Sequence, residues 1–185
     1  MLVRIQRIGG WVQLRQQWSL WETWFVDIDE SHTSLAALVF LRSPQPDRSW
    51  ITAAGTVLDA AGLTASTIDA PRDAEAELCI RAGFVALRHI ADFFGIKYHL
   101  NPHFPAQPIS ITRAQYDAAY EQLAQEGVAL KQDREAAWQA FAGWRVNYDT
   151  VLLALAKLTM APPAHWSTDL VAPQHRRSRP SMLRR

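Results

Sequence analysis

The sequence predicts an all-α fold, a bundle of about six helices with a basic C-terminal tail. Two observations carry that prediction. Apolar residues recur at helical spacing in six segments, most of them bounded by recognisable caps or stops. No stretch alternates convincingly with period two, and no Asn-Gly or Asp-Gly hairpin turn occurs.

The first helix follows Gly9-Gly10 and a short basic arm with Arg4 and Arg7. Trp11, Leu14, Trp18, Trp21, Phe25 and Ile28 step by three and four, an amphipathic stripe directed at a core. Trp24 falls off that stripe, so it covers a loop or the tail, or meets a partner. "ESHTSLAALVFLRSP" reads as a turn into a shorter helix, capped by Ser31 or Thr33 and stopped by Pro44 and Pro46. A third helix is expected over residues 48–66, with Asp47 or Ser49 as cap and Trp50, Val57 and Leu58 turned inward. Its alanines and glycines allow another helix to approach closely.

Residues 70–95 form the best-marked apolar helix, with Asp73, Glu75 and Glu77 at the positive end of its dipole and Gly95 as the stop. Glu77 and Arg81 have i,i+4 spacing for an ion pair. Three prolines in "IKYHLNPHFPAQPIS" predict a loop. Thr112 and Gln115 then spell a capping box, with Ile111 and Tyr116 placed as a hydrophobic staple, and Gly127 ends that helix. Asp133 caps a last long helix with Trp138, Phe141, Tyr148, Leu152 and Leu155 on one stripe, ending before Pro162-Pro163.

The chain has 185 residues, enough for one domain with a core that needs no disulfide or metal. Cys79, the single cysteine, sits in a helical pattern as a small core residue rather than a nucleophile. Neither a signal peptide nor an apolar run of spanning length is apparent. The net charge of +1 is uneven: from Ala164 onward five arginines and one acid give +4, leaving −3 for residues 1–163. Residues 1–163 are therefore read as the helical domain and 164–185 as a basic, disordered tail able to touch anionic lipid. The tail lacks interleaved aromatics, so nucleic-acid stacking finds no support.

Two clusters could carry chemistry. Asp27, Asp29, Glu30 and His32 supply four possible metal ligands, but without the glycine of a calcium loop or a Glu-x-x-His step. They are read as a polar corner in which Glu30 and His32 pair with each other, Arg42 or Trp50. Arg88, His89, Asp92, Tyr98, His99 and His103 could assemble a zinc site only if the loop folds back. Phosphate-loop, dinucleotide, nucleophile-elbow and zincin motifs are all missing. No catalytic residue, metal or cofactor is assigned, and a metal-dependent helical hydrolase using the His/Asp clusters is the alternative reading.

"WETWFVDIDESHTSLAALVFLRSPQPDRSWITAAGTVLDAAGL", residues 21–63, resembles the soluble region following the membrane spans in bacterial proteins related to two-helix potassium channels. The matching elements are Trp21 and Trp24, Glu30-Ser31-His32, Phe40 to Ser43 with Leu41 interposed, and Ser49-Trp50. "FAGWRVNYDTVLLALAKLTMAP" is similar to the closing helix of such regions. This chain has no pore helix or selectivity filter. The resemblance implies a non-enzymatic cytoplasmic interaction, regulatory or assembly domain at the inner face of a membrane. Its implied partner is a second copy or a membrane-embedded protein, with Trp11, Trp18, Trp21 and Trp24 as the candidate surface.

Overall fold

In a computed structural model, which describes residues 1–41 and 48–166, the described residues are predominantly helical. Among the described residues there are seven α-helices: α1 (Leu2–Arg7), α2 (Trp11–Ser34), α3 (Trp50–Ser66), α4 (Ala74–Phe93), α5 (Arg113–Gln125), α6 (Arg134–Arg145) and α7 (Asp149–Leu158). One 3-10 helix, Ala36–Phe40, follows α2. The nearest approach to a sheet is a single antiparallel bridge between Ile68 and Leu130. The all-α expectation holds.

The long α2 lies along α4, and α3 packs between α4 and α6, with α7 completing the core. Leu14, Trp18, Phe25 and Ile28 of the α2 stripe are buried, against Cys79, Ile80, Leu87 and Ile90 of α4 in the same cluster. The close approach centres on Gly83. A Cβ there would stand 2.5 Å from Leu58 Cδ2 and 2.9 Å from two atoms of the Phe25 ring. Gly83→Ala gains up to about 1 kcal/mol of helix propensity, but overpacking of this kind costs about 1–3 kcal/mol. With the full propensity gain the net loss is up to about 2 kcal/mol, read as a lower urea midpoint; an unchanged midpoint would mean that Leu58 and Phe25 yield freely.

The helix ends follow the sequence signals closely where backbone chemistry alone sets them. Gly95 and Gly127 adopt φ of +66° and +76°, the left-handed conformation that closes a helix. Ile96 N–H then reaches Ala91 O at 2.9 Å, and Val128 N–H reaches Leu123 O at 3.1 Å. The Thr112–Gln115 capping box is present, with Ile111 and Tyr116 buried beside it. Asp73 and Asp133 each accept from the backbone N–H three residues on.

Four expectations are corrected. The basic arm is the helix α1, with Leu2 buried and Arg7 paired with Glu126 at the end of α5. The "ESH" turn is not a turn: α2 runs through it to Ser34, and the chain bends at Leu35. Ser31 and Thr33 donate to the carbonyls of Ile28 and Asp29 instead of capping, which seats them inside a helix. Glu77 pairs with Arg72, at 2.6 Å, and not with Arg81. The last helix is two, because Tyr148 leaves helical geometry at φ −130°.

The domain also runs past residue 163. Trp166 is buried on Phe141, ring centroids 5.7 Å apart, and His165 stacks on it. The rest of the basic tail, Pro44, Pro46 and Asp47 lie outside the described residues.

Candidate functional site

The expected polar corner is a stretch of α2 that touches the start of α3 through His32 and α4 through Asp29. His32 meets the Trp50 indole at 4.8 Å and 64°, while its Nδ1 lies 2.9 Å from Ser31 Oγ. The indole N–H of Trp50 donates to Val39 O at 2.9 Å, satisfying a carbonyl of the 3-10 helix. Glu30 is exposed and makes no ion pair with His32, and Arg42 lies outside the described residues. Asp29, not Glu30, is the acid with a histidine partner: its Oδ2 sits 2.7 Å from His89 Nδ1.

Burial pulls the His32 pKa below its ordinary 6.5, opposed by the Ile28 carbonyl. In the unfolded chain His32 therefore binds its proton at higher pH than in the fold. Its contribution to stability is complete above about pH 6.5 and is lost as pH falls toward the depressed folded value. The difference in melting temperature between wild type and His32→Gln should shrink on going from pH 7.5 to 5.5. A constant difference would remove this linkage.

The second cluster does not converge. Arg88 donates to Asn147 O at 3.0 Å and Leu100 O at 3.2 Å, tying α4 to the α6–α7 junction. Tyr98 donates to Asp92 at 3.0 Å, and His99 Nδ1 accepts from Asn101 N–H. Among the described residues no three His, Cys, Asp or Glu side chains come together as metal ligands. Cys79 is buried, and burial with the Glu22 charge pushes its thiol up to about 12.

The strongest electrostatic feature lies where two helices meet, at α6–α7. Arg145 is fully buried, and its guanidinium has four neighbours. It pairs with Asp59 of α3, donates from Nε to Asp149 Oδ1 at 2.6 Å, and donates from Nη2 to Trp166 O at 2.6 Å. It also stands 5.0 Å from the Tyr148 ring centroid. Tyr148 OH donates to Asp59 Oδ1 at 2.9 Å, and Ser110 donates to Asp149 through both its N–H and its hydroxyl. Burial pulls the guanidinium down, but Asp59, Tyr148 and Asp149 together outweigh it and hold Arg145 protonated. Burial pushes the Asp59 carboxyl up, against Arg145 and Tyr148. Two donors on one oxygen is the geometry of an ionised carboxylate, and we take Asp59 as ion-paired.

Sequence reasoning missed this centre, although a signal existed. Asp59 is the one acid in an apolar, small-residue helix, and Arg145 with Asp149 interrupts an otherwise apolar aromatic stripe. Lone charges of opposite sign on two buried faces point to each other.

Asp59 also lines a cavity of about 240 Å³, together with Leu2, Val3, Leu63, Leu123 and Trp166. Two wider grooves flank α2. One, of about 680 Å³, is walled by Trp21 with Arg4, Ile5, Arg48 and Val57. The other, of about 350 Å³, is walled by Trp11 with Gln6, Arg15 and Ile68. Trp11, Trp21 and Trp24 are half-buried, Trp21 and Trp24 meeting edge to face at 5.1 Å, whereas Trp18 is sealed in the core. Trp18 therefore cannot present itself to a partner.

Compared with known proteins, the chain matches no family model, no curated protein and no solved structure. Among the described residues no helix is long and apolar enough to cross a membrane.

Proposed function

We propose that this is a non-enzymatic interaction or assembly domain working at the cytoplasmic face of a membrane. Its partner is a second copy of itself or a membrane-embedded protein. The resemblance of residues 21–63 to the soluble regions of channel-like bacterial proteins suggests the setting. The observation that carries the reading is the state of α2: Trp11 and Trp21 are only half-buried, and each walls an open groove. Large aromatic groups at such edges supply much buried area with few rotatable bonds, which favours them at protein contacts. Arg4 and Arg48 beside Trp21 suit an acidic partner or headgroup.

Light scattering over a concentration series, with and without anionic vesicles, tests the proposal. The chain should self-associate or bind the vesicles. Trp24→Ala should lower the association constant about tenfold, the effect of losing about 1.5 kcal/mol of apolar burial, with an unchanged circular dichroism spectrum. A chain that stays monomeric at high micromolar concentration and ignores the vesicles would sink the reading.

A further inference from the structure

The cavity beside the buried ion cluster is more than a packing defect. Its walls are mainly apolar, from Leu2, Val3, Leu63 and Leu123; Thr56, Gln122 and His165 also line it, together with a carboxylate, Asp59, that is 6% exposed. Asp59 Oδ1 already takes Tyr148 OH and Arg145. Asp59 Oδ2 takes no hydrogen bond among the described residues. The buried side-chain polar atoms that are both sealed in and unpartnered are Trp18 Nε1 and Trp166 Nε1, so Oδ2 retains an open side.

The charges agree with that geometry. One guanidinium stands between two carboxylates. Asp149 is further satisfied by two donors from Ser110, so the unmatched negative charge of the cluster falls on Asp59. Trp166, on the same cavity, offers an aromatic surface of the kind that attracts cations. Among the described residues no three His, Cys, Asp or Glu side chains gather there to hold a bare metal ion. An organic cation finds a complementary site.

We propose that this cavity binds a small primary alkylammonium, its N–H groups donating to Asp59 Oδ2 beside Trp166 and its chain lying along Leu63 and Leu123. The size is appropriate. A dry cavity of about 150 Å³ holds benzene, so the 240 Å³ here accommodates an alkyl chain of about six carbons.

Titration calorimetry of the full chain at pH 7.5 with n-hexylammonium chloride, beside hexan-1-ol and sodium hexanoate, tests it. Saturable one-to-one binding of the ammonium is expected, at least tenfold tighter than the alcohol, with hexanoate not binding. Ala119→Phe narrows the cavity without touching Arg145 or Asp149, and should weaken binding at least tenfold while the melting temperature stays within a few degrees. Asp59→Asn should abolish the preference for ammonium over alcohol; should that variant not fold, the alcohol comparison and Ala119→Phe still decide. Equal binding of hexan-1-ol, no effect of Ala119→Phe, or no saturable binding of hexylammonium to the wild-type chain would overturn the proposal.

Discussion

Arg145→Met is expected to cost about 3–5 kcal/mol of folding stability, the penalty for breaking a buried ion cluster from one side. Methionine fills much of the same volume, so the loss is electrostatic. Asp59 and Asp149 would be left near each other without the cation between them, and Trp166 O would lose its donor. Against a typical domain stability of about 5–15 kcal/mol, the variant should be close to unfolding at ambient temperature. Adding Asp59→Asn removes one of the stranded charges and should return part of the loss, a coupling of about 0.5–3 kcal/mol in a double-mutant cycle. Urea denaturation of the four proteins measures this directly. A cost below about 1 kcal/mol for Arg145→Met would mean that water already screens the cluster.

Trp18→Ala is expected to cost about 3–5 kcal/mol for a different reason, the transfer and cavity terms of a buried aromatic truncation. Trp18 is 0% exposed and sits between Leu14 and Phe25 on the face that α2 turns to the core. Its indole N–H is buried without a partner, so the residue acts through volume alone. Trp18→Phe, which keeps most of the volume and removes the orphaned donor, should therefore cost clearly less than Trp18→Ala. Equal losses would show that the N–H has a partner in solution. The contrast with Trp24 matters for function, since one indole holds the fold and its half-buried neighbour is assigned to the partner surface.

Some of this molecule is written locally and some is not. Residues 95, 112, 115, 127 and 133 were legible as caps and stops because the chemistry is confined to one helical turn, whereas Asp73 was legible only as an acid near a helix start. The stripe Leu14, Trp18, Phe25 and Ile28 was legible because helical period alone places it on one face. The "ESH" segment misled because Ser and Thr serve equally as caps or as back-bonded helix residues. Only packing along α4 and the contact of His32 with Trp50 distinguish the two uses. The split between α6 and α7 was hidden for a similar reason: Tyr148 departs from helical geometry to reach Asp59, 89 positions away in the chain.

The sequence by itself therefore determined the fold class, the helix ends marked by a glycine or a capping side chain, and the inward stripes, since each depends on interactions within a few residues. Tertiary structure alone decided the rest. It brought Asp59, Arg145 and Asp149 into one buried cluster, joined α1 to α5, and packed Trp166 under the end of the domain. It also left a cavity beside Asp59. Those features depend on which distant surfaces meet, and charge compensation in a low-dielectric interior becomes visible only once they have met.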